Sequence, residues 1–203
     1  MFPKIRKYCD DLRTRFDEIP KERKILLEKI SHYISKKGLT SEPINLVYIC
    51  THNSRRSHFG EVWAKVASYY YKIPNINTYS GGTEATAFNN NAINALVRAG
   101  FKIKQVNLDK NTVYQVHYDE HEQAIECFSK VYDDPKNPKK NFAAIMTCSE
   151  AEQNCPFIPG VDLRIGTTYD DPKAFDNTLQ QDTKYDERCK QIALETLYVF
   201  SKL

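Results

Sequence analysis

No run in this 203-residue chain approaches the roughly 20 apolar residues that a membrane span needs. The opening stretch, MFPKIRKYCDDLRTRFDE, lacks the apolar centre of a secretion signal, so a cytoplasmic protein is expected. No pair of cysteines has C-x-x-C spacing, and no His/Cys cluster has the spacing of a zinc site. A disulfide framework is not required either. A chain of this length buries a core without staples, and without an export signal the six cysteines, Cys9, Cys50, Cys127, Cys148, Cys155 and Cys189, read as thiols. Hydrophobic content of 41% and charged content of 27% fit a soluble globular protein. The net charge of +3 is uneven, since residues 1–40 carry 11 Lys/Arg against 6 Asp/Glu, a balance of +5 that leaves −2 for the rest. Asp10, Asp11, Asp17, Glu18, Glu22 and Glu28 interrupt the positive charges. They make solvated helix faces a better reading than a nucleic-acid arm. Neither nucleic acid nor membrane is expected as a partner, and the oligomeric state is open.

Helical spacing of Ile5, Cys9, Leu12 and Phe16, then of Leu26, Ile30, Tyr33 and Ile34 behind Pro20, predicts two helices within residues 1–42. The run INLVYIC at 44–50 is apolar throughout, as a strand buried on both faces would be. An amphipathic helix through Phe59, Val62, Trp63, Val66 and Tyr70 follows. INTYS at 76–80 is a second strand, FAAIMTC at 142–148 a third and VDLRIG at 161–166 a fourth. Asn90 or Asn91 is expected to cap a helix stopped by Gly100. The stretch DEHEQAIECFSKVY at 119–132 reads as helix, and Cys189 to Phe200 as a last one. Strands alternating with helices predict a parallel, three-layer α/β/α domain with a four-stranded sheet. Right-handed crossovers then put the loops after Cys50, Ser80 and Cys148 on one edge, where such sheets bind ligands.

The loop Cys50-Thr51-His52-Asn53-Ser54-Arg55-Arg56-Ser57 lies between a strand end and a helix start. A loop curled there points backbone N–H groups inward and binds an oxyanion. Arg56 can clamp the anion's oxygens, and the same field favours a Cys50 thiolate. Ser57 can support the sulfur and Asn53 can brace the loop. The competing reading is a buried cysteine before a basic helix start, but adjacent arginines there oppose the helix dipole unless an anion is present. Arg55, next to Arg56, is expected to face solvent, and His58 to be a surface helix residue. A thiolate attacking an oxyanion also needs an acid for the leaving group. Asp170 and Asp171, stiffened by Pro172, are candidates, with Asp171 restricted to extended geometry; read alone, such a turn is structural.

TCSEAEQNCP puts Cys148 at the same sheet edge as Cys50, with Cys155 seven residues on. Three such cysteines suggest a relay in which Cys148 attacks a Cys50 adduct and Cys155 resolves the disulfide for an external dithiol to open. Two ordinary core cysteines are the alternative.

These three segments together, C-x5-R-S at 50–57, TCSEAEQNCP and YDDP, resemble the thioredoxin-coupled arsenate reductases, which share the low-molecular-weight protein tyrosine phosphatase fold. The resemblance covers residues 44–203 and divides the chain into a helical extension, 1–42, and a phosphatase-like domain, 43–203. It implies Cys50 as nucleophile, Arg56 as anion-binding residue, Asp171 as general acid, and Cys148 and Cys155 as the relay pair. It also implies loop support from Thr51, His52, Asn53, Ser54, Arg55 and Ser57, no tightly bound cofactor, and a potassium ion near Glu61. The implied reaction is arsenate reduction to arsenite, with thioredoxin as reductant. Departures are His52 where glycine is common, Arg55 where a small residue or cysteine is frequent, a long segment at 105–141, and the N-terminal helices. Either extra segment could shield the mouth, pair subunits or recruit a partner.

The main alternative is a low-molecular-weight phosphatase that hydrolyses a Cys50 phosphoenzyme, for which a resolving pair has no use. A second is an oxyanion-binding or redox-regulated interaction protein that has lost catalysis.

Overall fold

The computed structural model describes residues 1–40, 42–155 and 157–203. Along the chain run α1 (Pro3–Arg13), α2 (Lys21–Gly38), β1 (Ile44–Cys50), α3 (Arg56–Tyr70), β2 (Ile76–Gly82), α4 (Asn90–Ala99) and β3 (Lys102–Gln105). Then follow β4 (Tyr114–His117), β5 (Ile125–Cys127), β6 (Phe142–Met146), α5 (Ser149–Asn154), β7 (Val161–Gly166) and α6 (Gln181–Phe200). The apolar run of β1 is buried at every position because it lies inside the sheet, between β2 and β6, with β7 beyond β6. All pairings in this four-stranded sheet are parallel. The register sets Cys50 opposite Gly82, and Met146 opposite both Ile49 and Gly166. The strand C-termini and the loops after them therefore share one edge.

Successive side chains of a strand face opposite ways, and β1 divides its contacts accordingly. Leu46 and Tyr48 join a large core with α1, α2, α3, α4 and α6. Val47 and Ile49 join a smaller cluster with Ala144, Met146, Cys148, Ala151, Cys155 and Ile158, which Cys50 also joins at the strand end, where the chain turns into the loop. The first layer is thick and the second thin, built on the short α5. The N-terminal helices contribute Ile5, Cys9 and Leu12, then Leu27, Ile30 and Ile34, to the large core. None of the described helices is long and apolar enough to cross a membrane.

Two details differ from the sequence reading. Asn89, one residue before the expected pair, caps α4; its Oδ1 accepts from the N–H of Asn91 at 2.9 Å and of Ala92 at 3.3 Å. Gly100 ends the helix at φ 118°, a conformation suited to glycine. The stretch 119–132 is not helical. It contains β5, which pairs antiparallel with β4, itself paired with β3. Ile125 and Cys127 are buried while Glu126 between them is exposed, a period of two that the available strand edge selects over local helix propensity. Further on, Val131 bridges in parallel to Gly82, so this segment runs against the open edge of β2.

Three thiols take no part in the sheet edge. Cys9 is fully buried, and Cys189 accepts from Trp63 Nε1 at 3.2 Å. Burial pushes both thiols up from 9.0 to about 12 and raises Cys127 as well. The protonated form therefore favours the fold, fully below about pH 9, and that contribution is lost as pH rises towards 12. Alkylation of the native protein at neutral pH, mapped by peptide mass, is expected to spare Cys9 and Cys189, which become reactive only with unfolding. Labelling of either in the folded protein would contradict the burial.

Candidate active site

Residues 51–55 turn from the end of β1 into α3. The turn needs one left-handed residue, and Asn53 supplies it at φ 43°; asparagine tolerates this conformation better than most side chains. His52 is not at positive φ, so histidine meets no backbone penalty where glycine is common. Its carbonyl accepts from Ser129 Oγ at 2.9 Å and Thr86 Oγ1 at 3.1 Å. Asn53 Oδ1 accepts from the Lys130 N–H at 2.8 Å, and its Nδ2 donates to Ser57 Oγ at 2.9 Å. Ser57 Oγ is 3.1 Å from Cys50 Sγ. With an accepted bond from Asn53, the Ser57 hydroxyl is set to donate to the sulfur. The chain Lys130–Asn53–Ser57–Cys50 thus links the 105–141 segment to the nucleophile.

Gly82 lies against this loop. A Cβ there would come within 2.7 Å of Asn53 N and Thr51 O and 2.3 Å of Glu84 O. These are backbone atoms, fixed by the bonds of Thr83 N–H to Cys50 O at 3.1 Å and Glu84 N–H to Thr51 O at 2.8 Å. Gly82→Ala is expected to cost about 1–3 kcal/mol, as overpacking does, and to weaken anion binding. Urea denaturation together with phosphate competition checks both; unchanged values would mean the loop yields freely.

Arg56 reaches across to the loop after β7. Its guanidinium donates to the Tyr169 carbonyl at 2.7 Å and to Asp171 Oδ2 at 2.6 Å. Its Nε is buried without a partner among the described residues, leaving a charged donor available to an anion. Asp171 also accepts from the Lys173 N–H at 3.0 Å, the cap of the short 3-10 turn that Pro172 opens. Asp170 instead points outward and meets Arg188 at 3.4 Å. Of the two acids only Asp171 faces the cradle.

Arg55 does not face solvent. It is buried, with Nε donating to Tyr185 Oη at 2.8 Å and the guanidinium 3.5 Å from Asp176. Tyr185 in turn donates to Asp176 at 2.7 Å. This pairing offsets the clash of adjacent arginines that the sequence raised. Neither Asp176 nor Tyr185 stood out in the sequence, since both lie far along the chain with no local motif. Ser54 Oγ donates to the Ala87 carbonyl at 2.7 Å. His52 lies at the rim, 3.7 Å from Glu84.

Thr51 connects the cradle to the second cysteine. Its Oγ1 is 3.3 Å from Cys148 Sγ and donates to Glu150 at 3.0 Å. Cys148 Sγ accepts from the Ala151 N–H at 3.4 Å, at the start of α5. Cys155 follows the end of that helix, its Sγ 3.9 Å from the Phe157 carbonyl. All six cysteines are free thiols. The six residues of α5 lie between Cys148 and Cys155 and hold them about 10 Å apart along the axis, so joining their sulfurs requires α5 to unwind.

His58 is not a surface residue. It is fully buried, its ring 4.0 Å from that of Phe88, with Nδ1 3.2 Å from Ser80 Oγ and 3.6 Å from Glu61 Oε2. Burial lowers its proton affinity. Phe88, Ser80 and, from the 105–141 segment, Cys127 close around it. Glu61 is equally buried, beside His58 and Cys127. Potassium, a hard cation, takes a shell of oxygens. An imidazole and a thiol beside one carboxylate do not provide that shell, so these residues do not fit the ion.

No family model matches the chain. Arsenate reductase of Bacillus licheniformis is 26% identical over 157 residues, 77% of this chain and 94% of the relative. Arsenate reductase of Staphylococcus aureus strain Newman is 30% identical over 130 residues, 63% of this chain and 77% of the relative. Among solved structures, a low-molecular-weight phosphotyrosine phosphatase from Vibrio cholerae O395 superposes with a TM-score of 0.52 at 13% identity, over 78% of this chain and 95% of that one. The last likeness concerns the fold alone. The sequence identity, extending over most of the Staphylococcus aureus protein, makes this chain a member of the arsenate reductase family.

Proposed function

We propose that the chain reduces arsenate to arsenite through Cys50, Cys148 and Cys155, with an external dithiol of the thioredoxin class as reductant. The observation that carries this reading is the gathering of these three thiols in one buried cluster at the C-terminal edge of the sheet. Cys50 thiolate attacks arsenic while Arg56 and the loop amides hold the anion's oxygens. The incoming anion displaces Asp171 from Arg56, Asp171 takes a proton from solvent, and it passes that proton to the leaving hydroxide, which departs as water. Cys148 thiolate then attacks Cys50 sulfur. A disulfide forms, the arsenic–sulfur bonding pair stays on arsenic, and arsenite leaves. Unwinding of α5 lets Cys155 attack Cys148, which frees Cys50. The external dithiol reduces the Cys148–Cys155 disulfide and completes the cycle.

The test is product-resolved turnover of arsenate with reduced thioredoxin, thioredoxin reductase and its nucleotide reductant. Many arsenite molecules per chain are expected. Absence of arsenite, alongside hydrolysis of an aryl phosphate, would make the chain a phosphatase instead.

A further inference from the structure

Behind the cradle, one ligand atom each from His58, Glu61 and Cys127 lies within 4.8 Å of the other two, and all three residues are buried. His58 and Glu61 sit one turn apart on α3, and Cys127 ends β5. The group has an orphaned polar atom that faces its own members, Glu61 Oε2, buried with no hydrogen-bond partner among the described residues. Unsatisfied groups of this kind call for a ligand or a cost. A buried carboxylate is costly without a compensating cation. Among the described residues, the ionisable group within ion-pairing distance of Glu61 is the neutral-favouring His58. Glu61 also forms part of the wall of a cavity of about 460 Å³, shared with Tyr79, Phe128 and Lys130, which offers an access route.

We propose that His58, Glu61 and Cys127 bind a divalent ion of the zinc class, fastening β5 to α3. Imidazole nitrogen, thiolate sulfur and a single carboxylate oxygen form a borderline-soft donor set that suits zinc or its cobalt substitute. Three protein ligands leave a fourth position for water from the cavity. The His58 Nδ1 to Glu61 Oε2 distance of 3.6 Å already matches the edge of a zinc tetrahedron, roughly 3.5 Å from bond lengths near 2.0–2.3 Å. The remaining separations close with side-chain shifts of about 1 Å on the same bond lengths. Ser80 Oγ, 3.2 Å from His58 Nδ1, gives up that contact when the ion takes the nitrogen's lone pair. Binding breaks the Cys127 S–H bond, releases the proton to solvent and forms the sulfur–metal bond. The Lys130 ammonium, on the same cavity wall, opposes a cation but also eases loss of that proton. Because the Lys130 N–H is bonded to Asn53, the ion would stiffen the anion loop from behind. The inference is independent of the arsenate reading.

The experiment uses the full chain with Cys50→Ser, Cys148→Ser and Cys155→Ser, so that relay thiols cannot bind metal. Metal-free protein is titrated with cobalt(II) and zinc(II) by absorption and calorimetry, with circular dichroism reporting the fold. One ion per chain and a thiolate-to-cobalt charge-transfer band are expected. Adding Cys127→Ser should abolish the band. Adding Glu61→Gln, which preserves shape, should weaken affinity at least tenfold. No binding in the triple variant would overturn the proposal. So would binding unaffected by Glu61→Gln, or thermal stabilisation by potassium without any uptake of cobalt or zinc. Should Cys127→Ser fail to fold, the Glu61→Gln titration decides.

Discussion

Cys50→Ser is expected to abolish both arsenite production and hydrolysis of any aryl phosphate, by on the order of 10⁶-fold, the scale of removing a catalytic nucleophile. Serine is nearly isosteric, and the bonds of Ser57 and Asn53 behind it hold the loop, so the fold should survive. What is lost is the ionised nucleophile, because a hydroxyl in the same field remains protonated. The other two thiols fail differently. Cys148→Ser leaves the Cys50, Arg56 and Asp171 geometry intact, so aryl phosphate hydrolysis should persist while arsenite release stops. Cys155→Ser should yield about one arsenite per chain, the single-turnover limit of a relay stopped at its first disulfide, and accumulate a Cys50–Cys148 disulfide visible by peptide mass. Continuous turnover in Cys148→Ser would remove the relay. Continuous turnover in Cys155→Ser would show that the external dithiol reduces Cys50–Cys148 directly and that α5 need not unwind.

The readable parts of this molecule were those in which chemistry is written locally. INLVYIC is apolar throughout because its strand is inside the sheet, and the six-residue step from Cys50 to Arg56 is a property of one loop. Gly100 could be named because only its own backbone is involved. The misread residues owe their state to partners far away in sequence. Arg55 is buried because Tyr185 and Asp176 meet it, 130 and 121 positions later in the chain. His58 is buried among Phe88, Ser80 and Cys127, and the segment that brings Cys127 there reads as helix in the sequence. Acidic and alanine-containing sequence favours helix locally, whereas an open strand edge beside Ile125 and Cys127 decides otherwise. The two errors together hid the His58–Glu61–Cys127 group. Asn53 illustrates a finer limit: the sequence showed a loop without glycine, but not which residue would take the left-handed turn.

Glu195→Ala is expected to lower stability by about 3 kcal/mol, the lower end of the range for breaking a buried ion pair, because Arg23 retains some solvent contact. Glu195 accepts from Arg23 of α2 at 2.7 Å and from Tyr169 Oη at 2.7 Å. Arg23 also donates to the Thr167 carbonyl at 3.1 Å, and the Tyr169 carbonyl receives Arg56. One carboxylate on α6 therefore holds the N-terminal extension and the back of the acid loop together, two bonds away from the anion clamp. Removing it strands the Arg23 charge and the Tyr169 hydroxyl, and frees residues 167–171 to move with Asp171. Arg23→Leu combined with Glu195→Leu should cost less than the sum of the single changes, since no uncompensated charge remains. Tyr169→Phe should cost about 1 kcal/mol, the worth of one hydrogen bond. Urea denaturation of Glu195→Ala, the two single leucine variants, their combination and Tyr169→Phe separates these terms. Turnover at saturating substrate then tells whether the acid loop depends on the extension: kcat should fall in Glu195→Ala with little change in KM, because Asp171 is needed for departure of the leaving group rather than for holding the anion. A loss of stability with kcat unchanged would mean that α2 supports the core without steering the acid.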